Sequence, residues 1–429
     1  MRKILSIVTL VALVSNAGAQ PAPEPPPPDQ PPPTTPEPPP DPIKPPPADP
    51  AVKPKNPEQP AAGKAGKGSV GYDKGFYIKT DDGKFSLNFT GRVQPFFVST
   101  YTAEPKNFAN AFEVRRGRLV FDGNIHSKKL FYKFQADFGK GVVTLKDYHF
   151  DLELSKDVLL RMGQWKRPFS RQQITSSGRL ETPDRAITDK AFGAGRDIGI
   201  AIGNRYEKSP DLEWIVGVFN GTGDAAKLEG VSVTLDPMTG EPIVDTAKAK
   251  FNNVPKDFLP ALVARIGINR NGIKGYSEAD LEGGPLRWGV GGSVQLEGDF
   301  DENDKSNQRL EVDYVVKAEG FSSTGGFYAM TDQKADAATD VEASLVGFHL
   351  QGGYMVVPKR WQLAARYGYV NDPRTKDAQK TDQQEIAIAA NFFGFGHDAK
   401  FAGGIKLLKN GDADFSDNIV IELGANVGW

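Results

Sequence analysis

The chain closes on Ile419-Val-Ile-Glu-Leu-Gly-Ala-Asn-Val-Gly-Trp429. Counted back from Trp429, one parity reads Val427, Ala425, Leu423, Ile421 and Ile419. The other reads Gly428, Asn426, Gly424, Glu422 and Val420. A period of two with one apolar face describes a β-strand, because successive side chains of an extended chain point to opposite sides. Taken alone, this stretch would also suit an amphipathic edge strand of a soluble domain.

The alternation returns along the chain. Phe85, Leu87, Phe89, Gly91, Val93, Pro95 and Phe97 oppose Ser86, Asn88, Thr90, Arg92 and Gln94. Leu130, Tyr132, Phe134, Ala136 and Phe138 oppose Phe131, Lys133, Gln135 and Asp137, and Tyr148, Phe150, Leu152 and Leu154 oppose Asp147, His149, Asp151 and Glu153. Later copies are Leu310, Val312, Tyr314 and Val316, then Trp361, Leu363, Ala365 and Tyr367. In a soluble sandwich the apolar face would be the core. In a membrane barrel it meets lipid, and the polar face lines water.

Three features favour the barrel. Many segments reach about ten residues, the length a tilted membrane strand needs. Short connections (127–129, 155–157, 207–210, 319–320, 357–360) alternate with long ones (102–111, 166–196, 221–256, 332–341, 371–382), as two unlike rims require. The last residue is an aromatic on the apolar parity, which resembles the strand that outer-membrane assembly machinery reads. Strands are expected near 85–101, 112–126, 130–138, 144–154, 158–165, 197–206, 211–220, 257–270, 286–300, 309–319, 321–331, 342–357, 361–370, 383–394, 399–408 and 417–429. Those are sixteen, an even number, so an all-β antiparallel transmembrane barrel closes with both ends of the chain on the periplasmic side. Residues 271–285 fit poorly, because a periplasmic turn of that length is unusual.

Composition agrees. Hydrophobic residues make up 39% of the 429, with 46 Gly and 33 Pro. No apolar run past the N-terminus approaches the roughly 18 residues of a membrane helix, whereas alternating barrel strands keep mean hydropathy low. Lys and Arg number 52 against 54 Asp and Glu, so there is no global basic surplus for nucleic acid. With no cysteine and four scattered histidines (His126, His149, His349, His397), neither a disulfide framework nor a metal motif is expected. No cofactor is implied.

Arg2-Lys3, the apolar run Ile4–Val14 and the small-residue site Ala17-Gly18-Ala19 read as a secretory signal peptide over 1–19. Residues 20–71 follow as a disordered linker; positions 21–60 alone hold 21 of the prolines and favour extended, solvated polyproline II. The barrel domain is expected over 72–429. The tail is either an inert spacer or a tether to peptidoglycan or another periplasmic component.

Sixteen strands enclose a channel too wide for wall side chains to fill, so an inward loop must set its selectivity. The candidate is the third outer loop, about 166–196. With its flanks it carries Lys166, Arg167, Arg171, Arg179, Arg185, Lys190 and Arg196 against Glu181, Asp184, Asp189 and Asp197, seven cations to four carboxylates. Such a surplus in a low-dielectric constriction favours anions, and guanidinium forks suit phosphate oxygens. Parity also points Arg92, Arg116, Arg118, Lys133, Arg161, Arg265 and Arg366 into the lumen, since each on the lipid side would cost a few kcal/mol near the midplane. Inward acids (Asp137, Asp147, Asp151, Glu153, Glu311, Asp313) leave a second possibility, a transverse field without strong selectivity.

Several stretches, in order and at plausible spacing, resemble the phosphate-selective porin O and P family. Phe112-Glu-Val-Arg-Arg-Gly-Arg-Leu-Val-Phe-Asp-Gly123 is similar to its second strand. Gly163-Gln-Trp-Lys-Arg-Pro-Phe169, Thr175-Ser-Ser177 and Arg196-Asp-Ile-Gly199 are similar to the segments around its constriction, and Gly217-Val-Phe-Asn-Gly221 to the next strand end. The resemblance implies a homotrimeric sixteen-stranded channel in outer-membrane lipid, passing small anions such as phosphate, with Lys133 and Lys166 as candidates for its lysine site. An enzyme is the weaker reading: His149 lies near Asp147 and Asp151, but alternate residues on one strand are ordinary spacing, and nothing marks a nucleophile or oxyanion hole. An adhesin reading rests only on long outer loops.

Overall fold

The computed structural model describes residues 68–429 except 222, 224–226, 230–231, 236–241, 246, 249, 256–257, 259, 299–306, 333–342 and 374–381. The expected signal peptide (1–19) and the expected linker up to residue 67 lie outside the described residues. Sixteen antiparallel strands form the wall. They are β1 (Ser86–Thr102), β2 (Asn107–Ile125), β3 (Ser127–Asp137), β4 (Thr144–Ser155), β5 (Val158–Lys166), β6 (Arg196–Gly203), β7 (Leu212–Phe219) and β8 (Ala261–Arg270). The second half is β9 (Arg287–Glu297), β10 (Asn307–Ala318), β11 (Phe321–Asp332), β12 (Ala343–Val357), β13 (Trp361–Asn371), β14 (Asp382–Phe395), β15 (Ala399–Asn410) and β16 (Asn418–Gly428).

Each strand pairs with the next, and β16 returns to β1 with Ile421 opposite Ser99 and Gly428 opposite Arg92. Trp429 and Gly91 exchange backbone hydrogen bonds at 3.1 Å. The Trp429 indole lies over Gly91, where an added Cβ would sit 2.1 Å from the ring, so this seam needs glycine. Closure removes every sheet edge from the wall, the condition for crossing hydrocarbon with strands. Among the described residues no helix is long and apolar enough to cross a membrane.

The burial pattern is the reverse of a soluble protein's. Along β8, Leu262, Ile266 and Ile268 are exposed while Val263, Arg265 and Asn269 are buried. Glu213, Gln295, Glu311, Gln362 and Glu181 are fully enclosed. Apolar residues out and charged residues in decide for a lipid-embedded barrel over a sandwich.

Three departures from the expected layout have physical causes. β2 begins at Asn107, so the first loop is 103–106 and not 102–111; Asn107–Ala111 pair with Val98–Thr102 because ladder hydrogen bonds need no apolar face. At the seam of Gln94 and Pro95 a β-bulge absorbs one extra residue, Arg115, and turns its side chain inward. Ahead of β1, Gly68–Tyr72 and Phe76–Thr80 form a hairpin, so residues 68–71, read as linker, are paired.

The segment 271–286 is the fourth and largest departure. Asn271 (φ 59°) and Gly272 (φ 70°) turn the chain sharply after β8, and Ile273, Tyr276 and Ala279 are buried. It therefore folds into the lumen from the rim that carries the chain ends, opposite to the loop between β5 and β6. That direction accounts for its length.

Candidate functional site: the lumen constriction

The loop 167–195 leaves β5 and is pinned at its root. Arg167 Nε donates to the Ala194 carbonyl at 2.7 Å and the Arg167 amide to Gly195 at 3.0 Å, which ties the two stems together. Phe169 is fully buried, and Ser170, held at φ 67°, bonds Tyr328 across the barrel at 2.9 Å. A short helix α1 (Arg171–Ile174) follows. Arg171 Nε donates to Asp313 at 2.5 Å, its amide to Glu311 at 3.2 Å, and Nη1 to the Gly275 carbonyl at 3.3 Å. Arg265 completes this knot, donating to Glu213 at 3.0 Å, Asp313 at 2.6 Å and Ser293 at 2.8 Å. Every charge here is buried and paired, the condition under which buried ions persist.

Further along, the loop meets the inward segment 271–286. The Glu181 amide donates to Glu278 Oε2 at 2.7 Å, and the Glu278 amide to the Arg179 carbonyl at 3.1 Å. Ser322 and Gln362 donate to Glu181 Oε1 and Gln351 to Oε2, while Gln351 also reaches Glu278. Lys400 caps the Leu180 carbonyl at 2.6 Å, and Asn391 the Glu181 carbonyl at 2.6 Å. Glu181 belongs to the loop and not to a wall strand. Burial pushes its carboxyl up to about 7, Glu278 adds in the same direction, and the hydrogen bonds oppose both. The return helix α2 (Ile187–Phe192) lays Phe192 on Tyr328, ring centroids 5.2 Å apart, and Arg309 donates to the Phe192 and Gly193 carbonyls.

These contacts fix the loop and the inward segment against β8–β15. The opposite wall, β1–β6, carries a concentration of cations. Arg92, Arg116, Arg118 and Arg185 lie within mutual electrostatic range, as do Lys166, Arg185, Arg196 and Arg118. Arg92 donates to Ser176 and Ser177 of the loop at 3.0 Å each. Arg116 bonds Gln94 at 3.2 Å and pairs with Asp184 at 3.6 Å. Arg118 pairs with Asp137 at 2.7 Å, Lys133 with Asp147 at 3.0 Å, and Arg196 with the same Asp147 at 2.7 Å. Lys166 donates to the Gln173, Ile174 and Thr175 carbonyls at 2.6–3.2 Å, and Arg185 to Gln172 and Thr175. Both therefore satisfy the open carbonyls at the end of α1. Burial would raise the Asp184 carboxyl, but Arg116, Lys406 and Arg115 hold it below the usual carboxylate range. Around the constriction, Arg92, Arg116, Arg118, Lys133, Lys166, Arg185 and Arg196 face Asp137, Asp147, Asp184 and Asp189. A cavity of about 420 Å³ toward the rim that carries the hairpin is lined by Lys74, Arg92, Arg118, Lys133 and the exposed Arg179, with Asp122 and Asp398 among them.

The candidate residues thus fall into two groups. Arg92, Arg116, Arg118, Lys133, Lys166, Arg179, Arg185 and Arg196 lie along the open side. Arg167, Arg171, Arg161, Arg265 and Arg366 are buried in the wall or loop seat: Arg161 with Asp151 (2.8 Å) and Glu207 (3.0 Å), Arg366 with Glu385 (2.6 Å). Parity could not separate the groups, because it says which way a side chain points and not what it meets. Sequence reading passed over Arg115, which lies over Phe96 and pairs with Glu113 and Glu422 at 2.7 Å, because only the bulge turns it inward. It also passed over Lys400 and Glu278. His149 bonds Asp151 at 3.1 Å and is enclosed by Trp165 and Arg161, a wall contact with no nucleophile. No group of ligating side chains among the described residues could hold a metal ion.

A closed sixteen-stranded wall with a charged interior and an inward loop defines an outer-membrane channel. Residues 87–402 match the sequence profile of the family described as phosphate-selective porin O and P, and the chain belongs to that family. Among solved structures it resembles the outer membrane channel DcaP of Acinetobacter baumannii, at 13% identity, 80% coverage of this chain and 97% of that one, with a TM-score of 0.53. An anion-selective porin from Comamonas acidovorans aligns at 10% identity, 80% and 99% coverage and a TM-score of 0.50. OmpF of Salmonella typhi aligns at 11% identity, 84% and 100% coverage and a TM-score of 0.54. These likenesses speak for the fold. No curated protein matches the sequence. The protein is an outer-membrane porin, a passive water-filled channel for small ions and solutes.

Proposed function

We propose that this porin prefers anions, with inorganic phosphate among its permeants, and performs no chemistry. The observation that carries the reading is the asymmetry of the lumen. On β8–β15 the cations named above are matched by buried carboxylates or backbone carbonyls, whereas around the constriction Arg92, Arg116, Arg118, Lys133, Lys166, Arg185 and Arg196 share Asp137, Asp147, Asp184 and Asp189. A net positive wall beside a low-dielectric plug raises the local anion concentration and repels cations. Several moderate sites in series let an ion leave as easily as it enters. Arg116, Arg118 and Arg185 present guanidinium forks for phosphate oxygens, and Lys133 and Lys166 are point charges beside them.

Reversal potential in planar bilayers under a KCl gradient tests this reading. An anion-selective potential, with chloride current reduced by added phosphate, supports it. A potential near zero with linear current leaves a general porin and overturns the preference.

Residues 1–19 are assigned as a cleaved export signal and the Pro-rich stretch to residue 67 as a periplasmic linker. A concave apolar groove of about 1230 Å³ runs across the outer faces of β13–β16, β1 and β2 and suits a neighbouring barrel in a homotrimer. A second role, tethering to peptidoglycan through the tail, is favoured by the length of the polyproline stretch. Deleting 21–60 should leave conductance intact and, if the tail tethers, release the envelope attachment.

A further inference from the structure

The hairpin ahead of the barrel has one covered face and one bare face. Its strands pair Val70 with Ile78, Tyr72 with Phe76 and Gly71 with Tyr77. The second strand then pairs with the start of β1, Phe76 opposite Phe89, Tyr77 opposite Asn88 and Ile78 opposite Leu87. β16 stops at Gly91 and Arg92, so the hairpin occupies the edge of β1 that the closing strand leaves unpaired.

This register determines which way each hairpin residue faces. Asn88 bonds Asp122 on the lumen side of the wall at 2.8 Å. Phe89 stacks on Phe121 at 5.1 Å on the lipid side, next to Phe134. Phe76 and Ile78 share the face of Phe89 and Leu87, and Val70 and Tyr72 share it in turn. On the other face Tyr77 fills the space beside Gly71, and Lys79 lies 4.9 Å over the Tyr77 ring. The outward face has no such cover: Val70, Tyr72, Phe76 and Ile78 are 76%, 60%, 55% and 55% exposed. Exposed Lys74, Lys79, Lys84, Lys128 and Lys129 stand at the same end of the barrel, with Asp73, Asp81 and Asp82 among them.

We propose that this hairpin is a membrane-interface foot: its outward face lies in the leaflet at that rim of the barrel, and the exposed lysines beside it, Lys84 and Lys128, engage the phosphates of anionic phospholipids there. Three observations select lipid as the occupant. The apolar face continues the lipid-facing surface of β1, residue by residue, through the ladder. Two of its four apolar residues are aromatic, the type enriched where a barrel meets the headgroups. The flanking charge is net positive, which suits anionic headgroups.

The native chain has no cysteine, so single cysteines at Val70→Cys, Ile78→Cys and Ser69→Cys report without background. Each variant of the full-length porin is labelled with an environment-sensitive fluorophore. It is then inserted into phosphatidylethanolamine and phosphatidylglycerol vesicles whose acyl chains carry bromine. Labels at 70 and 78 should lose most of their emission to the bromolipid, and the label at 69 should keep most of its own. Replacing Lys84 and Lys128 by Gln should reduce the loss at 70 and 78. Equal emission at all three sites, with quenching by aqueous iodide, means a hairpin in water and overturns the proposal. Protection at 70 and 78 from both quenchers means that protein covers the face, a neighbouring copy or the tail, and also overturns it. Unchanged conductance in each variant confirms that the barrel is intact.

Discussion

The two walls of the lumen are built from the same residue types and do opposite things. At β7–β10, Arg265 of the wall and Arg171 of the loop are paired with Glu213, Glu311 and Asp313 in a fully enclosed knot. On β1–β6, the pairs Arg118–Asp137 and Arg196–Asp147 leave a surplus of cations beside the open path. The difference lies in cover. The loop and the segment 271–286 lie over the first wall and enclose it, so every charge must find a partner; the cations of the second wall keep partial exposure, which tolerates the imbalance. Composition along the strands barely distinguishes them.

The largest effect should come from breaking the knot. Arg265→Ala leaves Glu213, Glu311 and Asp313 buried together without their main counter-ion, a loss of about 3–5 kcal/mol. The loop should then detach from its seat. A lower melting temperature and a noisier, larger single-channel conductance are the readouts; an unaltered channel would mean that the loop is held elsewhere.

Next in size is the meeting of loop and inward segment at Glu181. Its carboxyl titrates near 7 in place against an ordinary value of 4.5. A raised carboxyl pKa means that the folded state holds its proton longer than the unfolded state does. Stability is therefore greatest below about pH 4.5, falls as the pH rises toward 7, and levels off above, a span on the order of 3 kcal/mol. The groups facing Glu181 include Glu278, Lys400 and Lys317. Glu181→Gln should flatten this dependence in thermal melts between pH 4 and 8. A wild-type curve without such a slope would count against the buried-acid account.

On the open wall the effect should appear in selectivity and hardly in stability. Arg116→Glu with Arg118→Glu should move the reversal potential toward cation preference, while Arg161→Gln, paired with both Asp151 and Glu207, should shift it far less. Equal shifts would erase the distinction between the walls. Smallest of all, Arg205→Ala removes a 2.7 Å pair with Glu153 that is substantially exposed. It should change stability by about 0.5 kcal/mol or less.

How much of this was legible in advance varies by element. Sixteen strands and their facing could be read from parity, because lipid on one side and water on the other impose a strict period of two. β16 was clearest, since its apolar parity runs unbroken from Ile419 to Val427. The bulge at Arg115 was not legible: one inserted residue reverses a side chain without altering local composition. Nor was the inward fold of 271–286, whose Ile273, Tyr276 and Ala279 have no period and gain meaning only against β8–β15 and the loop. Glu278 illustrates the limit, being one carboxylate among many until it meets Glu181 where the loop and the inward segment touch.

The amino-acid sequence by itself determined the class of protein, the strand count, the facing of the wall and the placing of a charged loop after β5. Each follows from local periodicity or from a run of residues in order. Only the tertiary structure decided which cations remain open to the channel, because a guanidinium's role depends on whether a carboxylate from a distant strand reaches it. Arg265 and Arg118 share an inward parity. Partners 48 residues away in one case and 19 in the other, and the cover laid over them, make the first a rivet and the second part of the pore.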